Sequence, residues 1–394
     1  MQVLPTVYLK KGKDAALKRF HHWVFSGAIQ SDVTGLANGA LVRVLNSAKE
    51  FLGIGHYQNG SIAIRIISFQ EVAIDQVFWN GKIQKAYSLR QRLGLSESAE
   101  TTTYRLVHAE GDELPGLIID IYGQAAVIQA HSQGMHEAIP FISQALQNVL
   151  GAQLHTIYDK SAEALFSKED KSQNTYLIQQ ENHQVVKEHG NAFYIDWEEG
   201  QKTGFFIDQR ENRHLLGTYS QGKKVLNTFC YSGGFSVYAL QAGASHVHSV
   251  DISEKAIALT NRNVQLNGFS EEQHSAIAAD VMKYIKEVGN DYDVIVLDPP
   301  AFAKHLNARH NAVQAYKRLN SLALSRIKPG GILFTFSCSQ VVDKTLFNHT
   351  IASAAMEAGR SIKILHHLHQ PADHPVNIFH PETEYLKGLV LYVE

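Results

Sequence analysis

Over the first seventy or so residues, apolar positions fall in short runs separated by glycine-bearing turns. Residues 41–45, 51–57 and 62–67 are apolar or alternating, with Asn38-Gly39 and Asn59-Gly60 as turn signals, and this spacing predicts a small β-barrel. A polar, helix-prone segment follows over 82–93 and ends at Gly94. Strand-like runs come next at 104–108, 117–121 and 125–130; the loop joining the first two carries the turn pair Pro115-Gly116. From about residue 190 the rhythm changes. Apolar runs of five to seven residues now alternate with longer segments of helical period, which predicts an α/β fold with a mostly parallel sheet. The expected strands are 224–229, 246–251, 275–280, 292–298 and 331–338, followed by 361–368 and 387–393, seven in all. Between the second and third, 254–266 has helical spacing, with Ser253 as N-cap and Gly268 as stop.

Polar residues fall where this pattern ends its strands. Open parallel sheets bind ligands at the carboxyl ends of their strands. The first five expected strands end in Asn227-Thr228-Phe229, Asp251, Asp280, Asp298 and Cys338. Tyr231-Ser232-Gly233-Gly234 follows the first, where glycine lets backbone approach a ligand; it is not the GxGxxG of pyrophosphate binding. Asp251 is placed to accept both ribose hydroxyls of an adenosine cofactor, and Asp280 to accept from the adenine amino group. Asp298-Pro299-Pro300 stops its strand rigidly, so that its carboxyl can exchange a proton or hydrogen bond with a flat heteroaromatic ring, with Phe302 beside it to stack on a base. For each acid the alternative is a solvated loop or a helix cap. Cys338 sits at the mouth and is the candidate nucleophile; Cys230 is read as a buried structural cysteine.

Composition narrows the class. The 394 residues are too many for one core, and 44% apolar with 19% charged describes an ordinary globular protein. No run reaches the ~20 apolar residues of a membrane span, the first residues run opposite to a secretory signal, and two cysteines cannot make a disulfide framework, so a cytoplasmic protein is expected. The net charge of −2 gives no global pull on nucleic acid, yet residues 1–22 hold Lys10, Lys11, Lys13, Lys18 and Arg19 against Asp14 alone. Such a patch can engage phosphates, or be a solvated charged turn. Twenty-one histidines suggest metal, but neither an HExxH helix nor paired CxxC is present, and no metal site is expected.

The motifs, taken together, resemble class I S-adenosylmethionine methyltransferases, and more narrowly the bacterial large-subunit (23S) ribosomal RNA cytosine-5 methyltransferase family. The resemblance covers nearly the whole chain. It rests on His22-Trp23-Val24-Phe25-Ser26-Gly27, residues 110–120, Lys202-Thr203-Gly204-Phe205-Phe206-Ile207-Asp208-Gln209-Arg210 and residues 227–235. It continues through Asp298-Pro299-Pro300, Phe336-Ser337-Cys338-Ser339, Ala372-Asp373-His374-Pro375 and Tyr385-Leu386-Lys387-Gly388. It implies a PUA-like RNA-binding barrel over 1–72, a small α+β central domain over 73–189, and a Rossmann-like methyltransferase domain over 190–394. The implied cofactor is S-adenosylmethionine, held by Gln209, Arg210, Asn227, Phe229, Tyr231, Gly233, Gly234, Asp251, Ile252, Asp280, Val281 and Asp298. The implied partner is ribosomal RNA, met by Phe302, Lys10, Lys11, Lys18 and Arg19; oligomeric state is left open, a homodimer included.

In the mechanism that the resemblance implies, Cys338 adds to C6 of cytosine while Asp298 hydrogen-bonds or protonates the ring near N3. Two departures from the family pattern are Cys230, where serine is tolerated, and Lys160 in Tyr158-Asp159-Lys160-Ser161, where arginine is more usual. Rival readings are an exocyclic-amine methyltransferase, which needs no cysteine, an assembly factor with a vestigial cofactor fold, and a small-molecule methyltransferase, which leaves the barrel without a task.

Overall fold

The short apolar runs near the amino terminus do pair as strands. Thr6–Tyr8 (β1), Trp23–Phe25 (β2), Leu41–Leu45 (β3), Phe51–Tyr57 (β4) and Ile62–Ser68 (β5) form a sheet in the order β1-β3-β4-β5-β2, with a single turn of helix at Ala15–Lys18 (α1). β1 runs parallel to β3 and the other pairs are antiparallel. Val42, Val44, Ile64 and Ile66 alternate inward to one core, the period-2 pattern that the sequence carries. Gly55 is required here because a Cβ would overlap the Arg65 carbonyl on the neighbouring strand. This computed structural model describes residues 3–165, 173–179, 184–303 and 305–394.

A second sheet follows, built from Thr103–His108 (β6), Leu117–Tyr122 (β7), Ala125–Ala130 (β8), Thr156–Asp159 (β9) and Thr175–Ile178 (β10) in the order β10-β9-β8-β7-β6. Helices Gln76–Arg92 (α2), Gln133–Glu137 (α3) and Ile139–Leu150 (α4) accompany it, and a turn of helix, Ala162–Leu165 (α5), follows β9. Trp79 and Ile83 of α2 and Ile142 and Leu146 of α4 share one core with Leu106, Ile119 and Ile128 of the sheet. The helix expected over 82–93 begins earlier, at Gln76, because Asp75 accepts the Val77 and Phe78 N–H groups at 3.0 and 3.1 Å.

Val185–Glu188 (β11) and Asn191–Tyr194 (β12) make a two-stranded sheet, and the α/β rhythm then begins. In order come Arg210–Gly217 (α6), Lys224–Thr228 (β13), Gly234–Gln241 (α7), His246–Asp251 (β14), Glu254–Leu266 (α8), His274–Ala278 (β15) and Val281–Glu287 (α9). Tyr292–Leu297 (β16), Arg309–Arg326 (α10), Ile327–Ser337 (β17), Lys344–Ala358 (α11), Ile362–Leu368 (β18) and Lys387–Val393 (β19) complete it. The seven strands order as β15-β14-β13-β16-β17-β19-β18, the first five parallel and the last two antiparallel to their neighbours. The order therefore reverses between β13 and β16, the crevice where such sheets bind ligands. Ser253 caps α8 as expected, accepting from Ala256 N–H at 3.3 Å. Asp280 is not a strand residue: β15 ends at Ala278 and the Asp280 carboxylate caps α9.

The described residues divide into two compact units, one within 1–186, 195–207 and 372–383, the other within 187–194, 208–371 and 384–394. Segments 195–207 and 372–383, expected with the carboxy-terminal fold, thus belong to the first unit. Buried charges tie them there. Thr203 donates to Asp120 at 2.6 Å while Arg105 forks onto Asp120 at 2.8 and 2.9 Å. Arg90, fully buried, donates to both oxygens of Asp112 at 2.6 and 2.8 Å and to the Asp373 carbonyl at 2.7 Å. Removing one partner strands a buried charge, so Asp112→Ala is expected to cost about 3–5 kcal/mol, read as a lowered urea midpoint. No helix among the described residues is long and apolar enough to cross a membrane.

Candidate active site

The loop after β13 is the first part of the mouth. Phe229 and Tyr231 take φ of 54° and 46°, a left-handed conformation that costs side-chain-bearing residues of order 1–3 kcal/mol each. The strain is held by α8: Thr260 donates to the Tyr231 carbonyl at 2.9 Å and Asn263 to the Ser232 carbonyl at 2.9 Å. Gly233 has φ of 75°, and a Cβ there would lie 2.8 Å from Thr260; one on Gly234 would lie 2.8 Å from the Arg213 side chain. Both glycines are thus demanded by packing. Asp251, half-buried, accepts the Tyr231 N–H at 3.1 Å and the Ser253 N–H at 3.0 Å, so one carboxylate fixes two of the converging loops. Next to it Ile252 is 74% exposed, an apolar face at the rim. Asn227 is buried, donates to Ser236 at 2.8 Å and leaves its Oδ1 without a hydrogen-bond partner. Asp280 is exposed and its Oδ1 caps α9 at 3.0 Å, while the Val281 side chain is packed in the core.

The second part lies past β16. Leu297 pairs with Thr335, so Asp298 comes one residue beyond that pairing and Cys338 three beyond, on adjacent parallel strands. Burial raises the Asp298 carboxyl first, the charge of Asp208 raises it further, and a hydrogen bond from Gln209 together with Arg213 offsets only part; the result is about 7. Asp208 accepts from the Tyr385 hydroxyl at 2.6 Å through one oxygen, and its other oxygen is buried with no hydrogen-bond partner. Gln209 is oriented by Asn212 at 2.7 Å, and Arg210 is buried with its Nε 3.0 Å from Glu211. Phe302 rests against Tyr316 with ring centroids 4.7 Å apart, and the Tyr316 hydroxyl is hydrogen-bonded to Ser339 at 3.0 Å. Cys338 itself is partly exposed, whereas Cys230 is buried and its thiol is pushed up to about 12 by that burial. Lys387 donates to the carbonyls flanking Cys338, Ser337 at 3.4 Å and Ser339 at 2.9 Å.

Three roles were missed from the sequence. Asp208 and Lys387 stand inside runs already singled out, and a lysine heading the apolar strand 387–393 is itself a signal. Tyr316, deep in α10, carries none. The basic residues Lys10, Lys11, Lys18 and Arg19 are all exposed in the first unit, but Lys18 is paired to Asp14 at 2.8 Å and lies 3.8 Å from Glu50. One group of described residues gathers three potential metal ligands, His21, His380 and Glu382. His21 Nδ1 accepts the Trp23 N–H at 3.2 Å, which puts the ring proton on Nε2, 3.4 Å from Glu382; the pair reads as a hydrogen bond.

Three carboxyl groups, Asp208, Asp251 and Asp298, lie on segments at this end of the sheet, with Asp208 close enough to Asp298 to raise it. That donor set fits a cationic ligand such as S-adenosylmethionine, which carries a sulfonium and an ammonium beside a ribose.

Residues 170–389 match the family described as S-adenosylmethionine-dependent methyltransferase, and residues 7–69 match the PUA-like domain. A ribosomal RNA large subunit methyltransferase I from Aeromonas hydrophila is 38% identical, covering 98% of this chain and 98% of its own. The protein of the same name from Tolumonas auensis is 39% identical, again with 98% of each covered. Among solved structures, a chain described as a SAM-dependent methyltransferase from Streptococcus mutans superposes with a TM-score of 0.84 at 23% identity, covering 99% of this chain and 100% of that one. A methyltransferase complexed with SAH gives 0.85 at 23% identity with the same coverage. At that identity the two structures show the fold.

Proposed function

Because the chain belongs to the ribosomal RNA large subunit methyltransferase I family, S-adenosylmethionine-dependent enzymes, we propose that it methylates C5 of a cytosine in large-subunit ribosomal RNA through a covalent adduct of Cys338. The observation that carries this reading is a partly exposed thiol just past the end of β17, with an aspartate just past the end of the adjacent parallel strand β16 whose carboxyl is raised by burial and by Asp208. A direct attack by an exocyclic amine would need the aspartate and have no use for the thiol.

When bound, S-adenosylmethionine supplies an electrophilic methyl group. Asp251 would take its ribose hydroxyls, Ile252 and Phe229 its adenine face, and the carboxylate of Asp208 its cationic end. Cys338 gives up its proton to solvent and adds to C6 of the cytosine, which pushes electron density toward C5 and N3. Asp298, whose carboxyl burial and the charge of Asp208 raise toward neutrality, hydrogen-bonds or protonates N3 and so offsets the developing charge. Phe302, braced by Tyr316, gives the ring an aromatic neighbour. C5 would then take the methyl group and leave S-adenosylhomocysteine; loss of the C5 proton to a base, with the N3 proton returned to Asp298, expels the Cys338 thiolate and restores the ring. In this reading residues 1–72 grip RNA through Lys10, Lys11, Lys18 and Arg19, 73–189 form a central domain, and 190–394 carry the catalytic centre.

Nucleoside analysis of large-subunit RNA from cells with and without the protein tests the assignment. The expected result is one 5-methylcytosine lost in its absence and restored by the purified protein. N-methylguanine or N-methyladenine in its place overturns the C5 chemistry, and failure to bind S-adenosylmethionine in calorimetry would leave only an RNA-binding assembly role.

A further inference from the structure

We propose that Lys387 is the positioning residue for Cys338: its ammonium clamps the carbonyls on both sides of the cysteine and favours the thiolate over the thiol. The proposal rests on the nucleophile assignment above and adds to it the group that readies the thiol.

Lys387 opens β19, which lies antiparallel to β17 with Lys387 paired to Ser337. Its backbone therefore sits beside the last strand residue before the cysteine. The side chain is 7% exposed and donates to the carbonyl oxygens of Ser337 at 3.4 Å and Ser339 at 2.9 Å. One cation therefore holds the carbonyls of the residues before and after Cys338. A lysine buried at the head of the strand Lys-Gly-Leu-Val-Leu-Tyr-Val is costly, and a hydrophobic residue would extend the apolar run. The placement has a use if the charge is needed next to an anion that forms there.

The charged and titratable groups that face Lys387 are few. Burial lowers its ammonium to about 8, and the charge of Cys338 is the strongest influence that raises it, ahead of Asp343 and Glu384, with Lys344 opposing. Coupling of two titrating sites is reciprocal, so an ammonium that the thiolate stabilises also stabilises the thiolate. Asp343 and Glu384 are otherwise engaged. Asp343 caps α11 through the Leu346 N–H at 2.8 Å, and Glu384 is bonded to Lys344 at 2.5 Å. From the other side of the cysteine, Tyr316 presents only a neutral hydroxyl, raised above its ordinary value by burial, and bonded to Ser339. Among the described residues, Lys387 is thus a cation placed to act on the thiol.

The test is the pH dependence of Cys338 alkylation by iodoacetamide in the full-length protein, followed by mass spectrometry of the Cys338 peptide. Buried Cys230 serves as the internal unreactive thiol. Replacing Lys387→Met removes charge and donors; Lys387→Gln keeps donors to the same carbonyls without charge, and covers the case in which the methionine variant does not fold. Both are expected to move the alkylation midpoint up by about one pH unit, tenfold in thiolate fraction below it. Lys387→Arg should restore the wild-type midpoint, and Lys344→Met, removing a nearby surface cation, should leave it in place. The proposal is overturned if the glutamine variant keeps the wild-type midpoint, or if the rate falls equally at every pH, which marks a packing role. Trapping with 5-fluorocytosine-containing RNA separates the two readings. Shifted midpoints with no trapped wild-type adduct remove the nucleophile assignment and leave the Lys387 pairing standing. A trapped adduct with unshifted midpoints does the reverse.

Discussion

Cys338→Ala should abolish methyl transfer, by about 10³-fold or more, while S-adenosylmethionine affinity measured by calorimetry stays within about twofold. The two readouts separate because they draw on different parts of the mouth. The residues proposed to hold the cofactor sit on the loops after β13 and β14 and on the segment before α6, where Asp251 and the Phe229–Tyr231 turn are fixed by α8 and by backbone N–H groups. None of those bonds passes through Cys338. The fold should also tolerate the change, since the side chain is partly exposed and lies beyond the end of its strand. Cys230→Ser gives the contrast. That thiol is buried, 3.5 Å from the Thr260 hydroxyl and pushed up to about 12, so its loss should reduce stability slightly and leave the rate constant alone. Full activity in Cys338→Ala would sink the covalent mechanism and leave an amine-directed one.

How far the sequence shows this site depends on what kind of force places each residue. Strands with alternating or continuous apolar runs are legible, and β3, β4, β8, β14 and β19 match the expected bounds to the residue. Ends are less so, because caps decide them: Asp75 pulls α2 forward to Gln76, and Asp280 leaves its strand to cap α9. Asp251 and Asp298 are legible because strand ends in a parallel sheet converge on one crevice whatever the side chains. Gly233 and Gly234 are legible as special backbone positions, Gly233 with φ of 75°, and what the sequence does not show is that Thr260 and Arg213 also occupy the space that a Cβ would need. Pairings between distant segments are silent in a single sequence. The Arg90 fork onto Asp112 and the Asp373 carbonyl assigns residues 372–383 to the first unit, and nothing local in either stretch announces it. Asp208 and Lys387 belong to the same class: each was inside a recognisable run, but the role of each comes from a partner far along the chain.

Asp298→Asn should give a protein that is more stable and nearly inactive. A carboxyl held at about 7 in the folded state, against 3.8 for its ordinary value, means that folding favours the protonated form. Stability from this group is fully present below pH 3.8 and is lost as pH rises through about 7, roughly 2–4 kcal/mol by pH 8. Asparagine never carries the charge, so the variant should melt higher than wild type at pH 8 and show little gain at pH 4. Activity should move the other way. Asparagine can donate a hydrogen bond to N3 but cannot transfer a proton, and losing that transfer costs roughly 10²–10⁴ in turnover. The profile of kcat against pH carries a further signature. In the wild type the limb that falls above about 7 reports Asp298 and the limb that rises reports the thiol, so the descending limb alone should vanish in the variant. A variant no more stable at pH 8 than wild type would show that the charge of Asp208 and the burial of Asp298 do not act on the carboxyl as the geometry requires. A descending limb that survives would move the proton to another residue.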